Sequence, residues 1–152
     1  MKILNILPGL LLLTALLARL AAAPTTPLEI AITANDSMKF SVTTISAHPG
    51  QVVHVTLTNI GTIPKEVMGH NWILLKAGRN PTDYITAAMT AVKEGYQPAA
   101  RANEVLATIA LLGPKKSGEV TFTAPEAPGH YVYLCSFPAH FQAGMRGELI
   151  VQ

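Results

Sequence analysis

Beyond residue 23, apolar and polar residues alternate, or apolar residues form short runs, along most of the chain. Alternation over roughly four to eight residues is typical of half-buried β-strands. Stretches rich in proline and glycine, such as HPG, GPKKSG and APEAPG, separate the segments and predict turns. The pattern predicts about eight strands, in the segments LEIAITA, FSVTTISA, QVVHVTLTN, HNWILLK, VLATIALL, GEVTFTA, GHYVYLC and GELIVQ.

This succession of short strands favours an all-β fold, a Greek-key β-sandwich. One segment departs from it, NPTDYITAAMTAVKEG, which is rich in alanine and lacks the alternation. Asn80 is a suitable N-cap, Pro81 suits the first helical position, and Gly95 can end a helix. We therefore predict one inserted helix from Pro81 to Glu94, in which Met89 would fill the core.

The N-terminal segment differs in composition from the rest of the chain. Lys2 is followed by an apolar run that ends in small residues, which is typical of a secretory signal. Pro8 and Gly9 interrupt the run, and it is shorter than the roughly 20 residues of a membrane-spanning helix. We predict a signal peptide at residues 1–23 and one domain at residues 24–152, exported to the periplasm or another extracytoplasmic compartment. An uncleaved N-terminal membrane anchor is the alternative.

The charged residues give no sign of a nucleic-acid-binding surface. The chain has 11 basic and 9 acidic residues, and two of the basic ones, Lys2 and Arg19, lie in the predicted signal peptide. The exported domain would therefore be neutral, whereas nucleic-acid binding requires clustered lysine and arginine. A neutral domain also has no net charge with which to steer one kind of partner.

Cys135 is the only cysteine in the sequence. An exported chain with one cysteine cannot form an intramolecular disulfide, and an exposed free thiol is a liability in an oxidising compartment. The thiol must therefore be protected, either by burial as a small apolar side chain or by a metal ion.

The residues near Cys135 favour the metal. In YLCSFPAHFQAGMRG, His140 and then Met145 follow it at equal spacing, and His70 lies where a loop enters the strand HNWILLK. A thiolate, an imidazole and a thioether are ligands for a transition metal of soft or borderline character. Two histidines, one cysteine and a weak axial methionine form the ligand set of blue-copper electron-transfer sites.

Two motifs resemble those of known copper proteins: VMGHNW at residues 67–72 and YVYLCSFPAHFQAGMRGELIV at residues 131–151. Through them the domain resembles the small blue-copper proteins called cupredoxins, of the azurin and auracyanin type. The resemblance implies a cupredoxin-like sandwich that binds one copper ion and cycles it between Cu(I) and Cu(II). It implies as ligands His70, Cys135 and His140, with Met145 as a distant axial ligand and the Gly69 carbonyl as a weak one.

Three features depart from the azurin pattern. Ala139 replaces the glycine that usually precedes the second histidine, which leaves the backbone geometry of this loop in question. The spacing from His140 to Met145 is that of auracyanins and plastocyanins, one residue longer than in azurins. The single cysteine excludes the azurin disulfide. The resemblance is therefore to auracyanins in the loop and to azurins in VMGHNW.

The resemblance also implies roles for two residues next to the ligands. The Asn71 side chain would brace the two ligand-bearing loops by hydrogen bonds; an ordinary polar residue at a strand edge is the alternative. Backbone N–H groups of Asn71 and Phe137 could donate hydrogen bonds to the thiolate and raise the reduction potential.

Redox partners are expected to dock around His140, whose outer ring edge would reach the surface by the same resemblance. Met68, Pro138 and Phe141 are apolar residues in neighbouring loop positions. They predict a flat docking patch for redox proteins such as cytochromes or copper and haem oxidoreductases, although packing under the loops is the alternative. Contact with a membrane is expected only if the N-terminal segment is uncleaved.

Other functions fit the sequence less well. A thiol enzyme would need an orienting acid or a nucleophile signature around Cys135, and the sequence offers neither. A periplasmic copper-handling protein would use the same ligand types, usually in open or methionine-rich sites. We predict an electron carrier and no enzyme, with copper handling as the alternative. His48, His54 and His130 lie outside the ligand motifs and are predicted to be structural.

Overall fold

The computed structural model describes residues 26–152, so the predicted signal peptide lies outside the described residues. This part of the chain contains nine strands: β1 Leu28–Asn35, β2 Lys39–Phe40, β3 Thr44–Ala47, β4 Val52–Asn59, β5 His70–Leu75, β6 Val105–Leu112, β7 Ser117–Thr123, β8 Gly129–Leu134 and β9 Arg146–Val151. Its helices are α1 Lys65–Met68, α2 Pro81–Ala88 and the 3₁₀ helices Val92–Glu94 and Ala99–Glu104. Residues 26–152 include no helix that is long and apolar enough to cross a membrane.

The strands form two sheets that pack face to face as a sandwich. The first sheet has the strand order β2-β1-β4-β7, and the second has the order β3-β9-β8-β5-β6. Most neighbours are antiparallel, but β1 pairs with β4 in parallel, and so does β3 with β9. Strands far apart in sequence, such as β4 and β7, lie side by side, so the chain crosses between the sheets. The predicted all-β sandwich is confirmed.

The main core lies between the two sheets. In β4, Val53, Val55 and Leu57 are fully buried, whereas the residues between them are partly exposed. Successive side chains of a strand point to opposite faces, so one face of β4 packs inside the sandwich and the other contacts solvent. In the second sheet the Trp72 ring packs in the same core, with its centroid 5.3 Å from that of Tyr133.

β5 is buried on both faces, which explains why its sequence HNWILL shows no alternation. Trp72 and Leu74 belong to the main core. A second apolar cluster, on the outer face of the sheet beneath α2, consists of Ile73, Leu75, Tyr84, Ile85, Leu134 and Phe141. α2 therefore covers the strand that begins with His70, and β5 is held from both sides.

α2 begins where the sequence predicted and ends earlier. The Asn80 side chain caps its N-terminus, but the prediction of a helix to Glu94 was wrong: α2 ends at Ala88, and a separate 3₁₀ helix spans Val92–Glu94. Met89, expected in the core, is 56% exposed. Most helical stability in proteins comes from packing an apolar face, and Met89 lies beyond the face that α2 packs on the sheet.

The segment FSVTTISA was predicted as one strand, but it forms parts of two. Phe40 ends β2, which pairs with β1 in the first sheet, while β3 pairs with β9 in the second sheet. Between them the Ser41 N–H donates to the Thr33 carbonyl at 2.9 Å, and the chain then changes sheets. This division explains the ninth strand.

Candidate metal centre

The strand order brings the candidate ligands to one edge of the second sheet. Cys135 directly follows β8, and Met145 directly precedes β9, so both lie at the ends of one connecting loop. His70 is the first residue of β5, which pairs with β8 in antiparallel orientation. In an antiparallel pair, the start of one strand lies beside the end of the other. The topology therefore places His70 next to the loop at residues 135–145.

The structure brings His70, Cys135 and His140 together in a buried cluster. Their candidate ligand atoms all lie within 4.8 Å of one another. The Cys135 Sγ is 3.4 Å from the His140 Nδ1, and the two imidazole centroids are 4.9 Å apart. Cys135, His70 and Met145 have no exposed surface. The single thiol is therefore shielded from solvent.

Backbone hydrogen bonds close the loop that carries three of the candidate ligands. The Cys135 N–H donates to the Met145 carbonyl at 3.1 Å, and the Met145 N–H donates to the His140 carbonyl at 2.9 Å. Ala139 has a φ of 69°, in the left-handed region that glycine adopts readily. The loop thus takes a glycine-like turn at an alanine, at a cost of about 1–2 kcal/mol.

Asn71 joins the start of β5 to the ligand loop through hydrogen bonds of its side chain. Its Oδ1 accepts from the Ser136 N–H at 2.8 Å, and its Nδ2 donates to the Ser136 Oγ at 2.8 Å. The same Nδ2 donates to the Gly95 carbonyl at 3.2 Å, while the Ser136 Oγ donates to the Tyr96 carbonyl at 2.5 Å. Asn71, which follows His70, is therefore fixed to Ser136, which follows Cys135.

Three members of this hydrogen-bond network were missed by the sequence analysis. Ser136 lies beside Cys135, and that position could have suggested it. Gly95 and Tyr96 lie in a turn after α2, and no sequence motif places this turn near the cluster. Only the fold brings them to Asn71.

Burial sets the protonation of the cluster in the metal-free protein. Burial lowers the pKa of His140 to about 4, and the charge of the neighbouring His70 adds to the effect. The pKa of His70 is lowered too, chiefly by burial. Burial raises the pKa of the Cys135 thiol to about 12, while backbone hydrogen bonds from Asn71 and Phe137 oppose the rise. Near neutral pH both imidazoles are free to bind a cation, whereas the thiol must release a proton.

The surroundings of His140 differ from the expected docking patch. His140 is 1% exposed, so its outer ring edge is covered, contrary to expectation. Phe137 lies against it, with the ring centroids 4.7 Å apart. Met68 and Pro138 are half-buried, and Phe141 is buried in the cluster beneath α2. The expectation of Phe141 at the surface was wrong because α2 offers it an apolar surface to pack against.

Gly69 lies between α1 and His70, in a place without room for a side chain. A Cβ there would lie 2.6 Å from the Lys65 carbonyl oxygen. The close approach keeps α1 tight against the start of β5. That the Gly69 carbonyl is a weak metal ligand stays a prediction.

The remaining histidines lie outside the cluster. His48 hydrogen-bonds with the backbone of the C-terminal residue, and His54 and His130 each hydrogen-bond with a side chain of a neighbouring strand. These contacts agree with structural roles.

The donor set of the cluster fits copper. Both ring nitrogens of His70 are buried; the Asn35 carbonyl lies near enough to one of them to oppose the fall of the His70 pKa, and among residues 26–152 the other has no hydrogen-bond partner. Buried polar atoms without partners are costly, and a bound metal ion would satisfy one of these nitrogens. One sulfur, two imidazoles and a neighbouring thioether suit copper, whereas Mg²⁺ and Ca²⁺ prefer oxygen ligands.

Comparison with known proteins points to one family. Residues 27–152 match the family described as copper binding proteins, plastocyanin/azurin family. Auracyanin-B of Chloroflexus aurantiacus is 35% identical over 119 residues, which cover 78% of this chain and 49% of that protein. The chain thus spans about half the length of auracyanin-B. Azurin of Pseudomonas denitrificans is 32% identical over 133 residues, which cover 82% of this chain and 98% of the azurin.

Solved structures of auracyanins are similar in fold. Reduced auracyanin of Roseiflexus castenholzii has a TM-score of 0.73 and 32% identity, covering 82% of this chain and 96% of its own. Auracyanin A of Chloroflexus aurantiacus, described as a "blue" copper protein, has a TM-score of 0.74 and 32% identity, covering 84% of this chain and 100% of its own. The family match includes both ligand motifs recognised in the sequence.

Proposed function

The chain belongs to the plastocyanin/azurin family of copper-binding proteins, and we propose that it is a blue-copper electron-transfer protein. In this role it shuttles single electrons between redox partners and catalyses no reaction of its own. The proposal is carried by the buried cluster of His70, Cys135 and His140, whose ligand atoms lie within 4.8 Å of one another. Met145 is proposed as the axial ligand. Bound copper would supply one-electron chemistry by alternating between Cu(I) and Cu(II).

The main contribution of the chain is to keep the ligands in one arrangement. The Asn71 side chain bonds to Ser136 at both its polar atoms, and the Cys135 and Met145 backbones bond within the loop. Hydrogen bonds of this kind, made by residues next to the ligands, hold the ligand side chains in place. A site that changes little between oxidation states needs little reorganisation, which favours fast electron transfer.

Two further features would tune the reduction potential. Backbone N–H groups of Asn71 and Phe137 would donate to the Cys135 sulfur, and such donors withdraw electron density from the thiolate and favour Cu(I). Cys135, His70 and Met145 have no exposed surface, so water is excluded from them. Both features should raise the potential relative to a solvated copper thiolate.

We propose that partners dock at a groove beside Phe137. This docking groove has a volume of about 250 Å³ and is lined by Lys65, Glu66, Val92, Tyr96, Leu111 and Phe137. Val92 is 59% exposed, and Val67 on the nearby α1 is 61% exposed. Phe137 connects the groove to His140 by ring contact. Cytochromes or copper and haem oxidoreductases are the expected partners, with Met68 and Pro138 at the margin of the contact.

The proposed location is outside the cytoplasm, in the periplasm or an equivalent compartment. Two observations support it: the composition of residues 1–23, typical of a secretory signal, and the burial of the only cysteine. An uncleaved segment would instead anchor the domain to the membrane.

Copper retention and reversible reduction separate the electron carrier from the copper-handling alternative. The copper-loaded protein should accept one electron per copper in a reversible redox titration. It should also retain its copper when an excess of a Cu(I) chelator is added, because the cluster is closed to solvent. Rapid loss of copper to the chelator, without a reversible couple, would favour copper handling and defeat the proposal.

A further inference from the structure

Tyr96 has a backbone conformation that tyrosine rarely adopts. Its φ is 62°, directly after Gly95 with a φ of 63°. The left-handed region is unfavourable for a non-glycine residue, and such strain persists where the surrounding structure imposes it, often at functional sites. The Tyr96 N–H donates to the Ala91 carbonyl at 2.9 Å. The strained turn therefore ends the 3₁₀ helix that follows α2. The carbonyls of Gly95 and Tyr96 point away from that helix.

Both carbonyls of this turn accept hydrogen bonds from the network beside the cluster. The Gly95 carbonyl accepts from Asn71 at 3.2 Å, and the Tyr96 carbonyl accepts from the Ser136 hydroxyl at 2.5 Å. Ser136 has no exposed surface, and its hydroxyl also accepts from Asn71. Removing one partner would leave a buried polar atom unpaired, which is destabilising.

The Tyr96 side chain reaches the same loop by a second route. Its ring meets the Phe137 ring edge-on, with centroids 5.0 Å apart and planes at 64°. Phe137 contacts His140 through its ring, and it lies two residues after Cys135, which places its backbone N–H to approach the sulfur. Tyr96 therefore contacts both residues that follow Cys135: Ser136 through its carbonyl and Phe137 through its ring.

We propose that Tyr96 is a positioning residue for the metal centre: it fixes Ser136 and Phe137 and thereby sets how closely the Phe137 N–H approaches the Cys135 sulfur. The proposal rests on the proposed electron-transfer function and deepens it. Weaker donation to the sulfur leaves more electron density on the thiolate, which stabilises Cu(II) and lowers the reduction potential. The turn after α2 would thus control the potential of a site to which it contributes no ligand.

The reduction potential of the copper-loaded full chain tests the proposal with two variants. Tyr96→Asn removes the ring but suits the left-handed backbone, because asparagine is enriched there. Ser136→Ala removes the hydrogen bond to the Tyr96 carbonyl. Each should favour Cu(II) over Cu(I) by roughly threefold to tenfold, where a tenfold change lowers a one-electron potential by about 59 mV.

Conservative and matched variants separate positioning from a general loss of structure. Tyr96→Phe keeps the ring contact, and Ser136→Thr keeps the hydroxyl, so both variants should have the reduction potential of the unsubstituted protein. Lys115→Asn is the matched control for Tyr96→Asn. It introduces asparagine at another residue with a positive φ, 60°, in the turn between β6 and β7. It should leave the potential unchanged.

Amide hydrogen exchange in the metal-free full chain gives an independent readout. The Phe137 amide should exchange at least about tenfold faster in Tyr96→Asn and Ser136→Ala, a change of about 1.4 kcal/mol in the opening free energy. Exchange at the original rate in both variants, or original potentials in both, overturns the proposal. If the unsubstituted protein shows no reversible one-electron couple, the proposed function fails. The claim about potential then falls with it, while the Phe137 exchange rates still decide whether Tyr96 positions the loop.

Discussion

At the scale of single residues, burial shifts the pKa values of His140 and Cys135 in opposite directions for one reason. Burial disfavours the charged form of each group, so it lowers the pKa of the imidazole to about 4 and raises that of the thiol to about 12. The metal-free protein therefore holds a neutral imidazole and a neutral thiol side by side. Binding a metal cation then has to release the thiol proton, so affinity should rise with pH.

The lowered pKa of His140 predicts how the metal-free protein responds to acid. The usual histidine pKa is 6.5 and the folded value is about 4, so between these values the unfolded chain binds more protons than the folded one. The free energy of unfolding should therefore fall as the pH drops from about 6.5 towards 4. Denaturant titrations at several pH values measure it, and His140→Gln should show a shallower decline. Equal slopes for the two proteins would contradict the prediction.

Met145 should set the potential without being essential for binding. Its thioether is a soft, neutral donor that favours Cu(I), whereas the amide oxygen of glutamine favours Cu(II). Met145→Gln should therefore keep copper bound and lower the reduction potential, measured by voltammetry. An unchanged potential would remove Met145 from the proposed axial position.

The candidate ligands could be predicted at this scale, but their surroundings could not. His70, Cys135 and His140 are marked by residue type and by two short motifs. The roles of Ser136 and Tyr96 depend on hydrogen bonds between segments about 40 residues apart, for which no local pattern exists. The burial of His140 likewise depends on the position of the Phe137 ring.

At the scale of elements, the loop at residues 135–145 is fixed at both ends by neighbouring strands. β8 and β9 pair along their whole length, so both ends of the loop are held in place. Within the loop, Ala139 has a φ of 69°, which is unfavourable for a residue with a Cβ. Alanine in place of the usual glycine at this position therefore lowers the stability of the protein, but the loop still adopts the turn.

Ala139→Gly should stabilise the protein. Glycine removes the cost of the left-handed conformation, partly offset by the greater freedom of the unfolded chain, for a net gain of about 1 kcal/mol. Ala143→Gly in the same loop is the matched control, because Ala143 has no positive φ and should lose about 0.5–1 kcal/mol. Unfolding in denaturant measures both. A loss of stability in Ala139→Gly would show that the turn does not require this conformation.

Element types were easier to predict from the sequence than element ends. Alternation identified strands with one buried face, such as β4, whereas β5, buried on both faces, was identified as an apolar run. The end of α2 was missed because Ala88 packs on the sheet and Met89 does not, although both residues suit a helix. The division of FSVTTISA was missed because a change of sheet leaves no mark in the alternation.

At the scale of the whole molecule, the cluster lies at one end of the sandwich, and α2 covers one side of the sheet below it. The docking groove lies beside the cluster and exposes Val92, while Phe137 at its inner side contacts His140. An electron leaving the site would cross one aromatic ring to reach a partner seated there. A small apolar contact suits partners that must dissociate quickly.

Val92→Asp should slow electron self-exchange between copies of the protein and leave the visible spectrum unchanged. The added carboxylate must lose water on docking, at a cost of about one to a few kcal/mol, but Val92 is not a candidate ligand. Ala127→Asp is the matched control: Ala127 is exposed and precedes β8, whose other end carries Cys135. Self-exchange at the original rate in Val92→Asp, or an equal slowing in the control, would exclude the groove as the docking site.

The visible and EPR spectra of the protein loaded with Cu(II) test the central claim most directly. If Cys135 ligates copper with His70 and His140, the short copper–thiolate bond should give an intense visible charge-transfer band and a narrow parallel hyperfine splitting. Cys135→Ser should abolish the band. A colourless complex with the wide splitting of ordinary tetragonal Cu(II) would contradict the assignment of this cluster as a blue-copper electron-transfer site.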